Sequence, residues 1–295
     1  MRIAFVSLIT GCLLASSVSA HAQTRKCPPD SVPVGPLCVD KYEASVWRIV
    51  TANTSLVKKV MQGKATLADL QKFTPKTGVG VQLGCTAPPY NMIDYDSIPS
   101  GPGSFPPDGN WVGFSGVTPP SPGVFAVSIP GVLPSACITW FQAEQACALV
   151  GKRLLTNQEW QRAAAGTPRP ANGVDDGLLE CNIFTARGVV DAGSRANCVS
   201  SWGVFDMVGN VAEWVADWVD KNTPTNCGNW NVGSGLLSNG TTCFGPGGDS
   251  NHDALPAALV RGDKYQGDIE AGVFALSASV DPTSAADQIG FRCAR

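Results

Sequence analysis

Two carboxylates, Asp206 and Glu213, stand on either side of Gly209-Asn210 in the stretch 202–218, WGVFDMVGNVAEWVADW. Oxygen ligands at this spacing, on a backbone that can turn sharply at glycine, suit a hard cation such as Ca2+. The same pattern is also typical of a strand, a tight turn and a second strand or helix start, with the tryptophans in the core. Spacing alone leaves both interpretations open.

Other metal and catalytic patterns are weak in this sequence. No CxxC pair occurs, which disfavours a zinc site. Beyond the predicted leader the chain has one histidine, His252, in a loop rich in glycine and asparagine. A cluster of histidine ligands therefore cannot be built within one chain, and no nucleophile motif accompanies His252 to suggest a Ser–His–Asp triad.

Residues 1–22 are predicted to be a secretory signal peptide. Arg2 is followed by an apolar run and by Ala20-His21-Ala22, an A-x-A cleavage site. Ile9-Thr10-Gly11-Cys12 also resembles a lipoprotein box, so a membrane anchor is expected only if Cys12 is lipidated. We expect export to the periplasm or the extracellular space. A formal net charge of −3 without a basic stripe excludes nucleic acid as the expected partner.

The cysteine count supports an oxidising compartment. The chain has eleven cysteines, and removal of the leader with Cys12 leaves an even number. Spacing alone does not determine connectivity. Three pairs that close short loops are the natural hypotheses, and they are Cys27–Cys38, Cys181–Cys198 and Cys227–Cys243.

Two helix starts are well marked. Thr139 with Gln142 and Thr156 with Glu159 each form a capping box. The first helix is predicted over 139–151, where Gly151 can adopt the left-handed conformation that ends a helix. The second is predicted to run from Thr156 through Ala165.

The remaining pattern predicts short strands and long loops. Strands are expected at 38–43, 259–261, 272–276 and 289–293, and 50–73 is helix-like although Gly63 weakens that prediction. Residues 98–124 are dense in proline, glycine and serine. They could link two domains, but we favour a surface excursion within one domain spanning 23–295, because neither half looks complete alone.

Four blocks together resemble one known family. They are 138–165, 202–218, 259–262 (LVRG) and 289–294 (IGFRCA), and their order and content are similar to the sulfatase-modifying-factor family, which includes formylglycine-generating enzyme and ergothioneine-type sulfoxide synthases. The resemblance implies a single α+β domain with a C-type-lectin-like core, rich in loops and stapled by disulfides.

The resemblance also implies particular assignments. Cys147 should pair with Cys293. Asp206, the carbonyls of Gly209 and Val211, and Glu213 match a family calcium site, so structural Ca2+ is the expected cofactor. Asn182 is a candidate for a second calcium site with unrecognised partners.

The catalytic features of the family are missing from the sequence. Its oxidases hold copper with two cysteines in the segment that here is 261–276 (RGDKYQGDIEAGVFAL), which contains none. Its iron enzymes need a histidine cluster. Copper and iron are therefore not expected, and enzyme activity is doubtful, although a divergent metal-dependent oxidoreductase using Tyr265, Asp268 and Glu270 is the alternative hypothesis. A structural envelope protein is a third.

The C-terminal region also resembles proteins diversified by retroelements, which vary exposed residues on this lectin-like frame. The resemblance implies an exported protein that binds an unknown protein or glycan; the competing interpretation is an ordinary, undiversified relative. The positions matching the variable ones are Lys264, Tyr265, Gln266, Ile269, Glu270, Ser277, Ser279, Val280, Asp287 and Gln288.

Overall fold

The structure is a computed structural model that describes residues 26–50, 53–72, 81–84, 122–220 and 256–295. The predicted leader with Cys12, most of the excursion at 98–124, and the predicted pair Cys227–Cys243 lie outside the described residues. No helix in the described part of the chain is both long and apolar enough to cross a bilayer.

Short strands and short helices alternate with long loops, which confirms the α+β, loop-rich prediction. The helices are α1 (Thr54–Met61), α2 (Leu67–Gln71), α3 (Trp140–Ala148) and α4 (Asn157–Ala163). The strands are β1 (Ser31–Val34), β2 (Leu37–Asp40), β3 (Ser45–Val50), β4 (Val81–Leu83), β5 (Pro122–Val127), β6 (Arg153–Leu154), β7 (Ala212–Asp220), β8 (Pro256–Arg261), β9 (Leu276–Val280), β10 (Ile289–Phe291) and β11 (Cys293–Ala294).

One sheet joins the two ends of the described chain. Its order is β1-β2-β11-β6, so the C-terminal strand lies between the second strand and the strand that precedes α4. Cys38 N donates to the Arg295 carbonyl at 3.0 Å, and Arg295 N donates back to the Cys38 carbonyl at 2.8 Å. These two hydrogen bonds join the last residue of the chain to β2, near the start of the described residues.

The second sheet, with order β10-β7-β8-β9, carries the candidate site. β10 runs parallel to β7, with Gly290 opposite Glu213, while β8 and β9 pair antiparallel. The pairing places residues 212–218 between β10 and β8, with β8 before the predicted variable positions and β10 after them in the chain. β9 begins at Leu276, so the predicted strand at 272–276 is wrong except for its last residue; residues 272–275 turn, and Ala275 N bonds the Gly272 carbonyl.

The third sheet has order β4-β3-β5. β5 begins at Pro122, so the last three residues of the predicted excursion are a strand rather than a surface loop, because they pair with Arg48, Ile49 and Val50 of β3. All three strands contribute residues to one large apolar core that also contains Trp214 and Phe291.

The capping boxes are confirmed. Thr139 and Thr156 each accept from the amide three residues on, while Gln142 and Glu159 accept from the cap amide. The helix-like stretch 50–73 contains two helices instead of one, because Gly63 has a left-handed φ of +64°, which an α-helix cannot contain.

Three predicted disulfides are present: Cys27–Cys38, Cys181–Cys198 and Cys147–Cys293. The first two follow the short spacings, and the third confirms the pairing that the family resemblance implies. Cys137 is disulfide-bonded as well. Cross-links thus supplement a core divided among short elements.

Candidate functional site

The loop between Asp206 and Glu213 is tightly wound. Asp206 and Asn210 both have φ of +58°, and Gly209 between them has +77°. A Cβ at Gly209 would lie 2.2 Å from the Asn182 carbonyl oxygen, so only glycine fits there. The winding brings Asp206 and Glu213 into the same buried region.

Glu213 is engaged by protein donors. Arg292 Nε lies 2.8 Å from Oε1 and 2.9 Å from Oε2, and Nη2 lies 2.5 Å from Oε1. Trp160 Nε1 donates to Oε2 at 2.7 Å. The carboxylate and the guanidinium are both essentially inaccessible to water. Glu213 therefore forms a buried, charge-assisted pair that anchors β7 to the segment after β10.

Two more carboxyl groups surround this pair. Burial raises the pKa of Asp206 to about 7, although the Gly193 amide, which donates at 2.7 Å, and Arg292 act in the opposite direction. Burial, together with the charges of Asp206 and Glu213, raises the pKa of Glu43 well above its usual range. For Arg292, burial acts to lower the pKa, but the surrounding carboxylates outweigh it and raise it.

Both carboxylates of the predicted calcium site, Asp206 and Glu213, already accept hydrogen bonds from protein donors. A cation on Glu213 would share this carboxylate with the Arg292 guanidinium, whose side chain is inaccessible to water. Among the described residues, no three His, Cys, Asp or Glu side chains are grouped to hold a metal ion. The calcium site of Asp206, Gly209, Val211 and Glu213 stays a prediction.

Asn182 belongs to a buried amide network next to this loop. Its Nδ2 donates to Asn210 Oδ1 at 3.0 Å and to the Gly188 carbonyl at 2.9 Å, and Asn210 Nδ2 donates to Glu43 Oε2 at 2.6 Å. Within the described residues, Asn182 Oδ1 is buried without a hydrogen-bond partner. Asn182 thus has an unpaired buried acceptor, and its assignment to a second calcium site stays a prediction.

The predicted ligand positions differ in exposure. Gln266, Ile269, Glu270 and Ser279 are exposed, whereas Lys264, Ser277, Val280, Asp287 and Gln288 are half-buried. Ser277 and Ser279 hydroxyls lie 3.2 Å apart on β9. The exposed members lie on the turn that contains Asp268–Glu270 and on β9.

Tyr265 does not belong to the exposed set. Only 1% of its surface is accessible, so the prediction that its ring is presented to a ligand is wrong for this conformation. Its amide donates to the Asn210 carbonyl at 3.0 Å, which ties the tail to the Asp206–Glu213 loop. Val280 is likewise drawn toward the interior, where it packs on the large apolar core.

The sequence did not single out Phe274, which is 57% exposed; Ile269, which it did single out, is 51% exposed. Exposure of an aromatic side chain has no signature in a turn-rich segment, because no periodicity separates its inner from its outer face. We call the exposed residues Gln266, Ile269, Glu270, Phe274 and Ser279 the tail face.

A neighbouring loop buttresses the tail face. Arg169 Nη1 donates to the Ile269 carbonyl at 3.0 Å, and Asp268 N donates to the Ile183 carbonyl at 3.1 Å. Gly173 approaches so closely that a Cβ there would lie 2.6 Å from Ile269 Cγ2. Ala271 packs into the small apolar cluster around Cys181–Cys198. The turn that carries the exposed Ile269 is therefore held against the loop that the disulfide Cys181–Cys198 closes.

The Arg261 side chain contacts both α4 and the tail segment. Its guanidinium lies over the Trp160 ring at 4.7 Å, and Nη2 donates to Gln161 Oε1 and, at 3.1 Å, to the Val273 carbonyl. Burial lowers the pKa of Arg261 to about 10. The side chain holds the chain segment that, in the family's oxidases, carries the copper cysteines. All the cysteines in the described part of the chain are in disulfides.

A family model for the sulfatase-modifying factor enzyme 1-like domain matches residues 59–295. This match covers most of the chain, and the chain belongs to that family. The match includes α3, α4, the Asp206–Glu213 loop and the tail, which are the elements described above.

Two kinds of curated relative align over part of the chain. Formylglycine-generating enzyme of Thermomonospora curvata is 30% identical over 134 residues, covering 37% of this chain and 42% of that protein. Serine/threonine-protein kinase pkn1 of Chlamydia pneumoniae is 35% identical over 88 residues, covering 29% of this chain and 14% of the kinase. The chain therefore spans less than half the length of either relative.

Solved structures with a partial likeness include the Major Tropism Determinant P3c variant, with 23% identity and a TM-score of 0.35 over 53% of this chain and 37% of that one. PvdO from Pseudomonas aeruginosa has 21% identity and a TM-score of 0.32, covering 55% of this chain and 62% of that one. Treponema denticola variable protein 1 has 17% identity and a TM-score of 0.29, covering 56% and 71%.

Proposed function

We propose that this chain is an exported ligand-binding protein that uses the tail face to contact a protein or a glycan. The observation that carries the proposal is the display of Ile269, Glu270 and Phe274 to solvent on two successive turns, which Arg169 and Arg261 hold through hydrogen bonds to the backbone. Exposed apolar side chains beside polar ones, held rigidly, bind with little loss of conformational freedom.

The supporting frame favours binding over oxidation. Copper chemistry of the family's kind needs two close thiolates, and the segment 261–276 supplies no cysteine. All cysteines among the described residues form disulfides. Those same cross-links support export, because disulfides persist in oxidising compartments.

The test is a binding screen followed by a matched pair of variants. Purified chain, expressed into an oxidising compartment, is applied to a glycan array and to a phage-displayed peptide library, and the affinity for each hit is measured. Ile269→Asp combined with Phe274→Asp should weaken binding by at least about tenfold, because apolar anchors dominate such interfaces. Met61→Asp, at a position with 48% exposure on α1, is the control and should bind like the wild type.

Two results would count against this function. Hits that bind the double variant and the Met61→Asp control equally well would separate binding from the tail face. Stoichiometric copper or iron in the purified chain, together with oxidation of a thiol substrate, would favour the divergent oxidoreductase instead.

A further inference from the structure

A cleft of about 380 Å3 lies outside the tail face and shares no residue with it. Its walls come from four segments that are remote in sequence: the start of β1, the residues after β2, the turn between α1 and α2, and the residues after β5. The lining includes Asp30, Lys41, Tyr42, Lys64, Ser128 and Ile129. Its volume is in the range of small-molecule sites.

The walls are fixed by hydrogen bonds and close packing. Ser128 Oγ accepts from Tyr42 N at 3.1 Å and donates to the Asp30 carbonyl at 3.1 Å, and Lys41 N donates to the same carbonyl at 3.0 Å. Gly63 abuts Asp30 so closely that a Cβ would lie 2.2 Å from Oδ1. Because these contacts join all four segments, the cleft is formed before any ligand arrives.

The charge in the cleft is positive. Lys41 is half-buried and Lys64 is exposed, and neither lies within ion-pair distance of a carboxylate in the described part of the chain. The carboxylate in the lining, Asp30, is nearly inaccessible; its Oδ2 pairs with Lys152 Nζ at 2.5 Å, and its Oδ1 lies 3.9 Å from Arg295 Nη1. Two ammonium groups are therefore available to an anion.

The rest of the lining is apolar or aromatic. The half-buried Tyr42 ring stacks on Phe205, with centroids 5.3 Å apart, which fixes its orientation. Ile129, Pro130 and Leu67 complete the apolar part of the wall. The C–H face of a sugar ring can pack against such a surface while a charged substituent reaches the lysines.

We propose that this cleft binds an anionic ring compound, and that a sugar acid with one carboxylate on a pyranose ring is the ligand class. Lys41 and Lys64 neutralise the carboxylate through charge-assisted hydrogen bonds, and Tyr42 packs against the face of the sugar ring. The acid can be free or can terminate a glycan, because both sources present the same carboxylate and ring.

The experiment is calorimetric titration of the whole chain with glucuronate, with glucose as the neutral match. Saturable binding of one glucuronate per chain, absent for glucose, is expected. Lys64→Gln should raise Kd at least about tenfold, since a hydrogen bond between charged groups is lost. Lys58→Gln, an exposed lysine of α1 outside the cleft, should leave Kd unchanged. A glucuronate-terminated disaccharide distinguishes a glycan end, which binds more tightly than the free acid, from the free acid alone.

The proposal is overturned by three outcomes. They are no saturable binding of either acid, equal Kd values for wild type, Lys64→Gln and Lys58→Gln, or equal affinity for glucuronate and glucose. Lys41→Gln provides a second variant with the same expectation as Lys64→Gln. Tail-face variants should not affect this binding, so its failure is distinguishable from failure of the proposed function.

Discussion

Glu213 and Arg292 form a buried ion pair that joins the 202–218 stretch to the C-terminal strands. The pair joins β7 to the residue between β10 and β11, 79 positions later in the chain, with contacts of 2.5–2.9 Å. Arg292 also donates to the Phe205 carbonyl at 2.8 Å. The guanidinium thus neutralises the charge of Glu213, the carboxylate that the family resemblance also assigns to a calcium site.

Glu213→Gln should destabilise the fold by about 3–5 kcal/mol, because it leaves a buried guanidinium without its counter-charge. Urea unfolding with added Ca2+ and with EDTA measures whether the loss depends on calcium. An ion pair predicts the same difference between wild type and variant in both buffers. If Glu213 ligates calcium, the difference shrinks in EDTA.

Lys59→Met is the control for that measurement. Lys59 pairs with Asp69 at 2.6 Å, but its side chain is well exposed. Loss of such a surface pair should cost under about 1 kcal/mol. A cost similar to that of Glu213→Gln would show that burial does not set the difference.

Asp40 makes stability depend on pH. It pairs with Lys152 at 2.6 Å, but burial outweighs that lysine and raises the pKa of Asp40 to about 6. A carboxyl group whose folded pKa is raised contributes stability below its unfolded pKa near 4, and this contribution is lost as pH rises through about 6. The loss amounts to about 3 kcal/mol.

Asp40→Asn should remove that dependence, since the amide cannot ionise. The free energy of unfolding is compared for both proteins from pH 4 to pH 7. We expect the variant to gain relative to the wild type as pH rises across this window. Parallel curves for the two proteins would show that ionisation of Asp40 does not change the free energy of unfolding.

Local features of the fold were predictable from sequence because their partners are close along the chain. Thr139 with Gln142 and Thr156 with Glu159 are three residues apart, so the caps are legible without a structure. Cys181–Cys198 spans 17 residues and also follows from spacing. Cys147–Cys293, separated by 146 residues, needed the family resemblance.

Other non-local features could not be predicted from the residues themselves. The partner of Glu213 lies far along the chain, and residue type alone does not distinguish a carboxylate that binds calcium from one that binds arginine. The tail has the same difficulty, because Tyr265 and Phe274 are both aromatic residues in turns. Only the packing shows that Tyr265 points inward and Phe274 outward.

The two disulfides of different span provide a test of what holds the loop-rich fold together. In the chain-entropy picture, the cross-link Cys147–Cys293 stabilises by about 5 kcal/mol and Cys181–Cys198 by about 3 kcal/mol. The pairwise alanine variants should lose stability in that order when they are unfolded in urea. The reverse order would indicate that the cluster around Cys181–Cys198, which supports Ala271, matters more than loop length.

Tyr265 and Glu270 should respond in opposite ways to alanine substitution. Tyr265 is buried, so Tyr265→Ala leaves a large cavity and should cost about 3–5 kcal/mol of stability. Glu270 is exposed on the tail face, so Glu270→Ala should change stability by less than about 0.5 kcal/mol. Thermal unfolding of both variants measures the contrast, and Tyr265→Phe shows whether ring volume or the hydroxyl group is responsible. A Tyr265→Ala variant as stable as the wild type would return Tyr265 to the exposed surface and to the set of ligand-contacting residues.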